Sequence, residues 1–487
     1  MSSPARDKHF SYIDSLGNPY LEGVWRPVHD EIVADDLEVI GTVPKDLNGV
    51  YLRNGPNPQF QPRGRYHVFD GDGMLHAMEF AQGKVTYRNR WVRTEGLQME
   101  RAAGRAIWPG LIDRPDRDLE LAWGSDHFLK DNSNTDVVIH NGKALSTFYQ
   151  CGDGYLLDPR TLESAGKLDL PGMGVRSLSA HSMVDEHTGE LIWFDYSTQR
   201  PYMSYGVIAP TGELTHHVPI ELPGPRLPHC LAFTERFTIL MDLPLFWDPE
   251  LMQRDIHKVT FFPELPSRFG IIPRYGAADS IRWFDAEPCY IYHISNAWEE
   301  GDEIILDACR MQTPEPPPIP ANASASEINR MLAWGKLDAR LHRWRFNMVT
   351  GETKEEWRDD RFTEFPMVNA QYGGRKTQYA YHMVVSQTNP TLQFTGLAKY
   401  ELETGRAEVH EFDPGCYGSE SPFAPRDGAK SEDDGYLVTF VANENDLSEL
   451  QVFDAQQVTA GPIARVKLPV NVPPGFHSCW GPDSLLS

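Results

Sequence analysis

Short apolar runs, each bounded by glycine, proline or another turn residue, repeat along the whole chain. Examples are DVVIHNGKAL at 136, GELIWFDY at 189, ERFTILMDL at 235, CYIYHISNAW at 289 and GYLVTFVAN at 435. Most are rich in β-branched and aromatic side chains, which is typical of short strands. With 39 glycines and 38 prolines, the chain has turn residues throughout. The pattern predicts an all-β fold with few helices.

The dipeptide Thr-Gly repeatedly separates two such runs. It occurs in DEHTGELIW (185), APTGELTHH (209), MVTGETKEEW (348) and LETGRAEVHEF (402), and LDPRTLESAG (157) resembles these turns. Glycine supplies the positive φ that tight hairpins need. Repeated hairpins favour a β-propeller, and the chain has room for about six to eight blades of roughly 40–50 residues.

Helical spacing is found in two segments, RTEGLQMERAAGRAIW (93–108) and SASEINRMLAWGKL (324–337). The proline-rich stretch PEPPPIPAN (314–322) is interpreted as a loop. No change in composition marks a domain boundary. We therefore expect one β-rich domain over residues 1–487, with helical and loop insertions that form a cap on one face.

Charge and cysteine content exclude several classes of function. The formal net charge of −24 argues against nucleic acid as a partner and disfavours electrostatic binding to an anionic membrane. The six cysteines form no C-x-x-C pair, which fits a reduced compartment without a structural zinc site. No signal peptide and no run of 18 apolar residues is found, so we expect a cytoplasmic protein. Peripheral contact with a membrane through a local basic or apolar patch is kept as an alternative.

Four of the 17 histidines lie among apolar or small residues. They are His181 in SLSAHSMVD, His229 in RLPHCLAF, His293 in YIYHISNAW and His477 in GFHSCW. His181 is interpreted as part of a strand, at a place where a core-facing strand usually carries an aliphatic side chain. Taken singly, each is more often a core or turn residue than a ligand. For five of the others, His9, His187, His216, His217 and His342, we expect solvent-exposed positions.

Taken together, the four histidines suggest a metal site. They are too far apart in sequence for a local zinc motif, but strands of four propeller blades can meet at the central channel. Imidazole suits iron, copper, zinc and nickel. Four neutral imidazoles leave the charge of a divalent ion uncompensated, so such a site needs carboxylates around it.

Several segments resemble the carotenoid cleavage oxygenase family over essentially the whole chain. They are LEVIGTVPKDLNGVYLRNGPNP (37–58), YHVFDGDGMLHAMEF (66–80), EFPMVNAQYGG (364–374), GSESPFAPRDG (418–428), SEDDGYL (431–437) and the four histidine segments, of which IYHISNAWEEG and GFHSCW are the most specific. The resemblance implies a seven-bladed β-propeller with Fe(2+) on its axis.

The resemblance also implies roles for individual residues. His181, His229, His293 and His477 fall on the family's four iron ligands. Glu364 and Glu420 fall on two of the three glutamates that hold ligand imidazoles. Gln150 occupies the place of the third, where the sequence departs from the family. A glutamine can accept the same N–H but carries no charge, which leaves the site more positive.

The reaction that the resemblance implies is cleavage of a conjugated carbon–carbon double bond by O₂, which gives two carbonyl products. No catalytic residue beyond the metal centre is expected. Stilbene-cleaving members resemble one another in a lysine just before the missing glutamate and in a tyrosine after the helix that ERAAG matches. Tyr149 (or Phe148) and Leu111 stand at these places. We therefore favour a carotenoid or apocarotenoid, with phenolic stilbenes or phenylpropenes as the alternative.

Apolar side chains are expected to line a substrate tunnel. Trp108 in RAIWPGLI (105–112) and Phe246 and Trp247 in LPLFWDPELM (243–252) suit a tunnel mouth or a lipid contact, with ordinary loop packing as an equal alternative. Two other functions stay open: an isomerase or hydrolase that uses the same iron, and a metal-binding propeller without turnover. The sequence does not indicate the oligomeric state.

Overall fold

The computed structural model describes residues 18–111, 116, 119, 129–170, 177–253, 259–314, 337–388 and 391–486. Antiparallel strands dominate this part of the chain, which confirms the prediction of a mostly β protein. The helix expected at 324–337 lies outside the described residues except for Leu337, and so does the proline-rich loop after its first residue.

The strands form separate small sheets in the order of the chain. Sheet 1 has the spatial order Val33–Ala34, Lys84–Trp91, Gly73–Ala81, Gly49–Pro56 and Ser478–Pro482. Sheet 2 contains Asp136–His140, Lys143–Thr147, Tyr155–Leu157 and Ser164–Lys167. Sheet 3 contains Met183–Asp185, Glu190–Tyr196, Tyr202–Ile208 and Leu214–Glu221. Sheet 4 contains Ala232–Phe233, Phe237–Asp242, Ser267–Pro273 and Arg282–Ala286.

The second half of the chain continues in the same way. A two-stranded hairpin joins Leu245–Trp247 to Val259–Phe261. Sheet 5 contains Tyr290–Glu300, Glu303–Met311, Arg340–Asn347 and Thr353–Trp357. Sheet 6 has ten strands: Thr363–Met367, Tyr379–Val385, Phe394–Glu401, Arg406–Glu411, Cys416–Gly418, Phe423–Pro425, Gly435–Asn443, Glu449–Asp454, Ala464–Lys467 and Val39–Gly41. Early and late parts of the chain thus pair in two sheets, 1 and 6.

The Thr-Gly turns lie where the sequence predicts hairpins. Gly189, Gly351 and Gly405 have φ of 70°, 82° and 73°, in the left-handed region that glycine enters without steric cost. Each connects neighbouring strands of sheets 3, 5 or 6. The strand Glu190–Tyr196 buries Leu191, Ile192, Trp193 and Phe194 to 1% exposure or less, so both of its faces are packed.

Helices are short and few among the described residues. The main one, Glu95–Ala103, lies inside the segment predicted at 93–108. The Thr94 hydroxyl caps its start by accepting from the Leu97 N–H at 3.0 Å, and Gly104 ends it at φ 67°. The other α-helix is Pro249–Met252, and single 3-10 turns occur at Gly23–Trp25, Val68–Asp70, Ala278–Ser280, Ala370–Tyr372, Val458–Ala460 and Asp483–Leu485.

Within the described residues, no helix is both long and apolar enough to cross a bilayer. The cytoplasmic location, a peripheral membrane contact and the single domain over residues 1–487 stay predictions. One expectation about histidines is wrong: His342 is buried rather than exposed, between the rings of Trp344 and Trp357 at 4.3 and 4.5 Å.

Candidate metal centre

The four singled-out histidines come together in space. One ligand nitrogen from each of His181, His229, His293 and His477 lies within 4.8 Å of the others. All four side chains are buried, with 5–7% of their surface exposed. They are distant in sequence and lie within or just before strands of four different sheets, so the cluster exists only in the folded chain.

The backbone at His181 departs from the predicted strand. Sheet 3 begins at Met183, so His181 precedes it, and its φ of 62° is unusual for a residue with a side chain. Its N–H donates to Asp136 Oδ2 at 2.9 Å, which holds this conformation. A regular strand directs side chains alternately to its two faces. Aiming the imidazole at the centre therefore requires a break from strand geometry.

The other three histidines also stand where regular pairing is interrupted. His229 precedes the strand Ala232–Phe233, and His477 precedes Ser478–Pro482. His293 lies within Tyr290–Glu300, but at a register shift between Ile291 and Ile294. Such irregularities re-aim a side chain near a functional site.

Two glutamates hold ring nitrogens of the cluster. His293 Nδ1 lies 2.6 Å from Glu364 Oε2, and His477 Nδ1 lies 3.1 Å from Glu420 Oε1. A bond at Nδ1 leaves Nε2 to face the centre. The Nε2 atoms of His181 and His293 are buried and have no hydrogen-bond partner. A buried polar atom without a partner is costly, so these atoms point to a missing ligand such as a metal ion.

The electrostatics favour neutral imidazoles. Burial, together with the neighbouring rings, holds the pKa of His181, His229 and His293 well below the ordinary value. Burial opposes charge on His477 too, but adjacent Glu420 outweighs it and leaves the pKa raised. A metal ligand must be the neutral ring, so three of the four side chains are already in the required form.

An apolar cavity of about 70 Å³ opens on one side of the cluster. Its walls include His229, His293 and His477 together with apolar or aromatic side chains: Tyr20, Val68, Phe69, Tyr292, Leu337, Phe365, Leu392 and Phe476. Phe69 also lines a distal cavity, which contains Trp108, Leu111, Phe148, Tyr149 and Gln150. Four of the predicted tunnel residues therefore share the wall of the distal cavity, which contains none of the four histidines.

Gln150 is buried beside Tyr149, with which its side chain hydrogen-bonds. Tyr149 in turn lies between Phe69 and His229, with ring centroids 4.3 and 5.7 Å away. A pairing of Gln150 with a ligand imidazole stays a prediction. Phe246 and Trp247 are elsewhere: they are buried in the hairpin of Leu245–Trp247, and Phe246 stacks on Phe262 at 4.5 Å. Neither lines the apolar or the distal cavity.

A third, larger cavity of about 250 Å³ reaches the cluster from another direction. His181, His293 and His477 contribute to its wall, as do the carboxylates of Asp136, Glu186 and Glu420. We refer to it as the acidic cavity.

Two residues of the centre were missed at the level of sequence. Asp136 is buried, receives the backbone N–H groups of Val137 and His181, and has a pKa raised by burial. Phe365 follows Glu364, has φ of 51°, and stacks on His477 at 4.5 Å and 11°. For Asp136, the sequence offered one indication of a special role, its position at the start of a predicted strand; for Phe365 it offered none.

Comparisons with known proteins agree with this geometry. Residues 25–482 match the profile of the family described as retinal pigment epithelial membrane protein. A carotenoid 9,10(9',10')-cleavage dioxygenase of Phaseolus vulgaris is 35% identical, over 96% of this chain and 90% of its own length. An isoeugenol monooxygenase of Pseudomonas nitroreducens is 31% identical, over 96% and 98%.

A solved structure is similar as well. The lignostilbene dioxygenase of Pseudomonas brassicacearum superposes with a TM-score of 0.82 at 27% identity, covering 95% of this chain and 98% of that one. Sequence, fold and relatives thus agree over nearly the full length, and the chain belongs to the retinal pigment epithelial membrane protein family, that of the carotenoid cleavage oxygenases.

Proposed function

We propose that the protein is a non-haem Fe(2+) dioxygenase that cleaves a conjugated carbon–carbon double bond of a carotenoid or apocarotenoid. The alkene and O₂ together supply every atom of two carbonyl products, so the reaction balances without another reductant. The observation that carries the proposal is a cluster of four buried imidazoles that faces an apolar cavity.

The residues fit a divalent ion of the first transition series. Neutral imidazoles bind iron well, and the buried Nε2 atoms of His181 and His293 lack any other partner. Glu364 and Glu420 place carboxyl groups behind two ligands and hold their Nδ1 atoms, which leaves the Nε2 atoms for the metal. When bound there, ferrous iron would supply the electrons that activate O₂.

The protein side of the mechanism is positioning and exclusion. Phe365 and Phe476 form an apolar wall beside the imidazoles. The ring centroids of Tyr292 and His229 are 4.8 Å apart. An extended alkene between these side chains is held with one double bond beside the centre, which lowers the entropic barrier. The apolar wall also keeps water away from the reacting carbons.

For the fold, we propose a seven-bladed β-propeller. Sheets 1 to 5 each supply one blade of four or five strands. The ten strands of sheet 6 divide into two units that meet at a single pair, Phe394 and Gly418. That division supports seven blades in total.

A phenolic stilbene or phenylpropene is the second candidate substrate. The distal cavity contains polar groups, among them the Tyr149 hydroxyl and the side chains of Lys130 and Asp72. A ring hydroxyl at the end of a short alkene would find partners there. The apolar character of the wall next to the histidines favours the polyene.

The test loads the full-length protein with Fe(2+) without oxygen and then admits ¹⁸O₂. An apocarotenal and a 4-hydroxystilbene are offered in separate reactions, and products are identified by mass spectrometry. We expect two labelled carbonyl products from the polyene and none from the His293→Ala variant. Label in only one product would indicate a monooxygenase, and an isomerised alkene without label would indicate an isomerase. Bound iron without product from either alkene would support a metal-binding propeller.

A further inference from the structure

The acidic cavity reaches the histidine cluster without passing through the apolar cavity. At its inner end it is lined by His181, His293 and His477, and at its outer end by Glu186 and Ala370, which are exposed. A bond between His187 Nε2 and the Gln371 carbonyl oxygen, at 2.8 Å, joins the two segments that carry these rim residues. The cavity therefore connects solvent with the cluster.

Three carboxylates stand in the otherwise mostly apolar wall of this cavity, one at the rim and two beside the histidines. Glu420 and Asp136 lie at the inner end, where both accept hydrogen bonds. Glu186 lies at the rim, and within the part of the chain that the structure describes its carboxylate has neither an ion pair nor a hydrogen bond. The apolar cavity contains no carboxylate in its wall. The two approaches to the cluster thus differ in chemistry.

A second observation shows what the acidic cavity leads to. The Nε2 atoms of His181 and His293 are buried without a hydrogen-bond partner at its inner end. Carboxylate oxygens along a passage can replace part of the water around a divalent cation, whereas the wall of the apolar cavity offers no carboxylate to do so.

We propose that the acidic cavity is the route by which a divalent metal ion reaches the four histidines, with Glu186 as the group that captures the ion at the rim. The apolar cavity is then left to the alkene. This inference rests on the proposed metal site, and it adds a function for residues that do not bind the metal in its final position.

The first experiment measures the rate of Co²⁺ uptake by metal-free full-length protein, from the visible absorption of bound cobalt in a stopped-flow instrument. Glu186→Gln and Glu186→Lys are compared with Glu264→Lys, a matched charge reversal at an exposed turn residue outside the cavity wall. We expect Glu186→Lys to slow uptake about tenfold at low ionic strength, and Glu186→Gln to slow it less. The difference should shrink in high salt, while the equilibrium affinity and the final spectrum stay as in the unsubstituted protein.

A second experiment tests the passage sterically. Ala370→Trp narrows the rim of the acidic cavity and should slow the uptake of Co²⁺. An apolar alkene bound in the apolar cavity should leave the rate of Co²⁺ uptake unchanged. An intact final cobalt spectrum establishes that each variant still forms the site. Equal rates for Glu186→Lys and Glu264→Lys, or uptake slowed by the alkene alone, would overturn the inference. Absence of cobalt binding to the unsubstituted protein would instead contradict the proposed function.

Discussion

At the scale of single residues, the centre depends on backbone conformations that side chains usually avoid. His181, which belongs to the cluster, and Phe365, which stacks on His477, both have positive φ. Such conformations cost on the order of 1–3 kcal/mol each and persist where the surroundings enforce them. The four histidines and two glutamates could be located from the sequence, because the motifs around them are specific. Asp136 and Phe365 could not, since their roles arise from a backbone hydrogen bond and a ring contact.

Replacing Glu364 tests how the cluster is supported. Glu364→Gln keeps the size of the side chain but replaces the buried carboxyl group whose oxygen lies 2.6 Å from His293 Nδ1 with an amide. We expect metal affinity to fall about 10- to 100-fold, measured by equilibrium dialysis with Co²⁺. Glu355→Gln is the matched control, because Glu355 lies 3.3 Å from His342, a buried histidine outside the cluster. A similar loss in both variants would contradict a specific role for Glu364.

A buried histidine outside the cluster predicts how the stability of the protein depends on pH. His382 is fully buried between Ser295 and Thr363, at 3.0 and 3.2 Å, and burial lowers its pKa to about 3. In the unfolded chain the pKa of His382 is about 6.5, so the unfolded state binds a proton there more readily than the folded state. The free energy of unfolding is therefore unaffected by this group above about pH 6.5 and decreases as the pH falls from about 6.5 towards 3.

The variant His382→Gln removes this proton uptake. We expect its free energy of unfolding to depend less steeply on pH, by about 1.4 kcal/mol per pH unit between these limits. Urea denaturation at several pH values between 4 and 6.5 measures the slope. Identical slopes in the two proteins would show that His382 does not resist protonation.

At the scale of elements, hairpins were predictable and their irregular ends were not. Thr-Gly turns and apolar runs locate the strands, because glycine conformation and β-branched side chains act locally. His181 was expected inside a strand but precedes one, since its direction is set by Asp136 of another sheet. His342 was expected in solvent because Arg343 and Trp344 follow it in a segment interpreted as a polar strand. Two tryptophans of sheet 5, one of them on the neighbouring strand, bury it.

An ion triad connects the helix Glu95–Ala103 to sheet 1. Lys130 Nζ lies 2.7 Å from Asp72 and 2.8 Å from Glu100, and all three residues are buried. Burial alone would lower the pKa of Lys130, but the two carboxylates outweigh it and raise the pKa. Lys130→Met leaves two buried carboxylates without the cation that lies between them.

We expect Lys130→Met to lower the free energy of unfolding by about 3–5 kcal/mol, measured by chemical denaturation. The control is Lys376→Met, which removes an exposed pair with Glu300 and should cost less than about 1 kcal/mol. If both variants lose equally little stability, the triad does not hold the helix in place.

At the scale of the whole molecule, the cluster connects sheets that otherwise contact mainly their neighbours. A metal ion that binds the folded chain alone stabilises it by mass action. With free Co²⁺ at a hundredfold excess over the dissociation constant, we expect an increase of about 2.7 kcal/mol in the free energy of unfolding. Denaturation with and without cobalt measures it, and His229→Ala should lose the effect. An equal increase in that variant would locate binding elsewhere.

The pairing of early and late strands has a consequence for biosynthesis. His477 directly precedes Ser478–Pro482, which pairs with Gly49–Pro56, and Ala464–Lys467 pairs with Val39–Gly41. A nascent chain on the ribosome therefore carries at most three of the four histidines until its last sheet strand emerges. During translation the earlier sheets can form one after another, but sheet 1 must wait. Emergence of the segment that carries His477, rather than any earlier step, sets the moment at which the complete four-histidine centre can first exist.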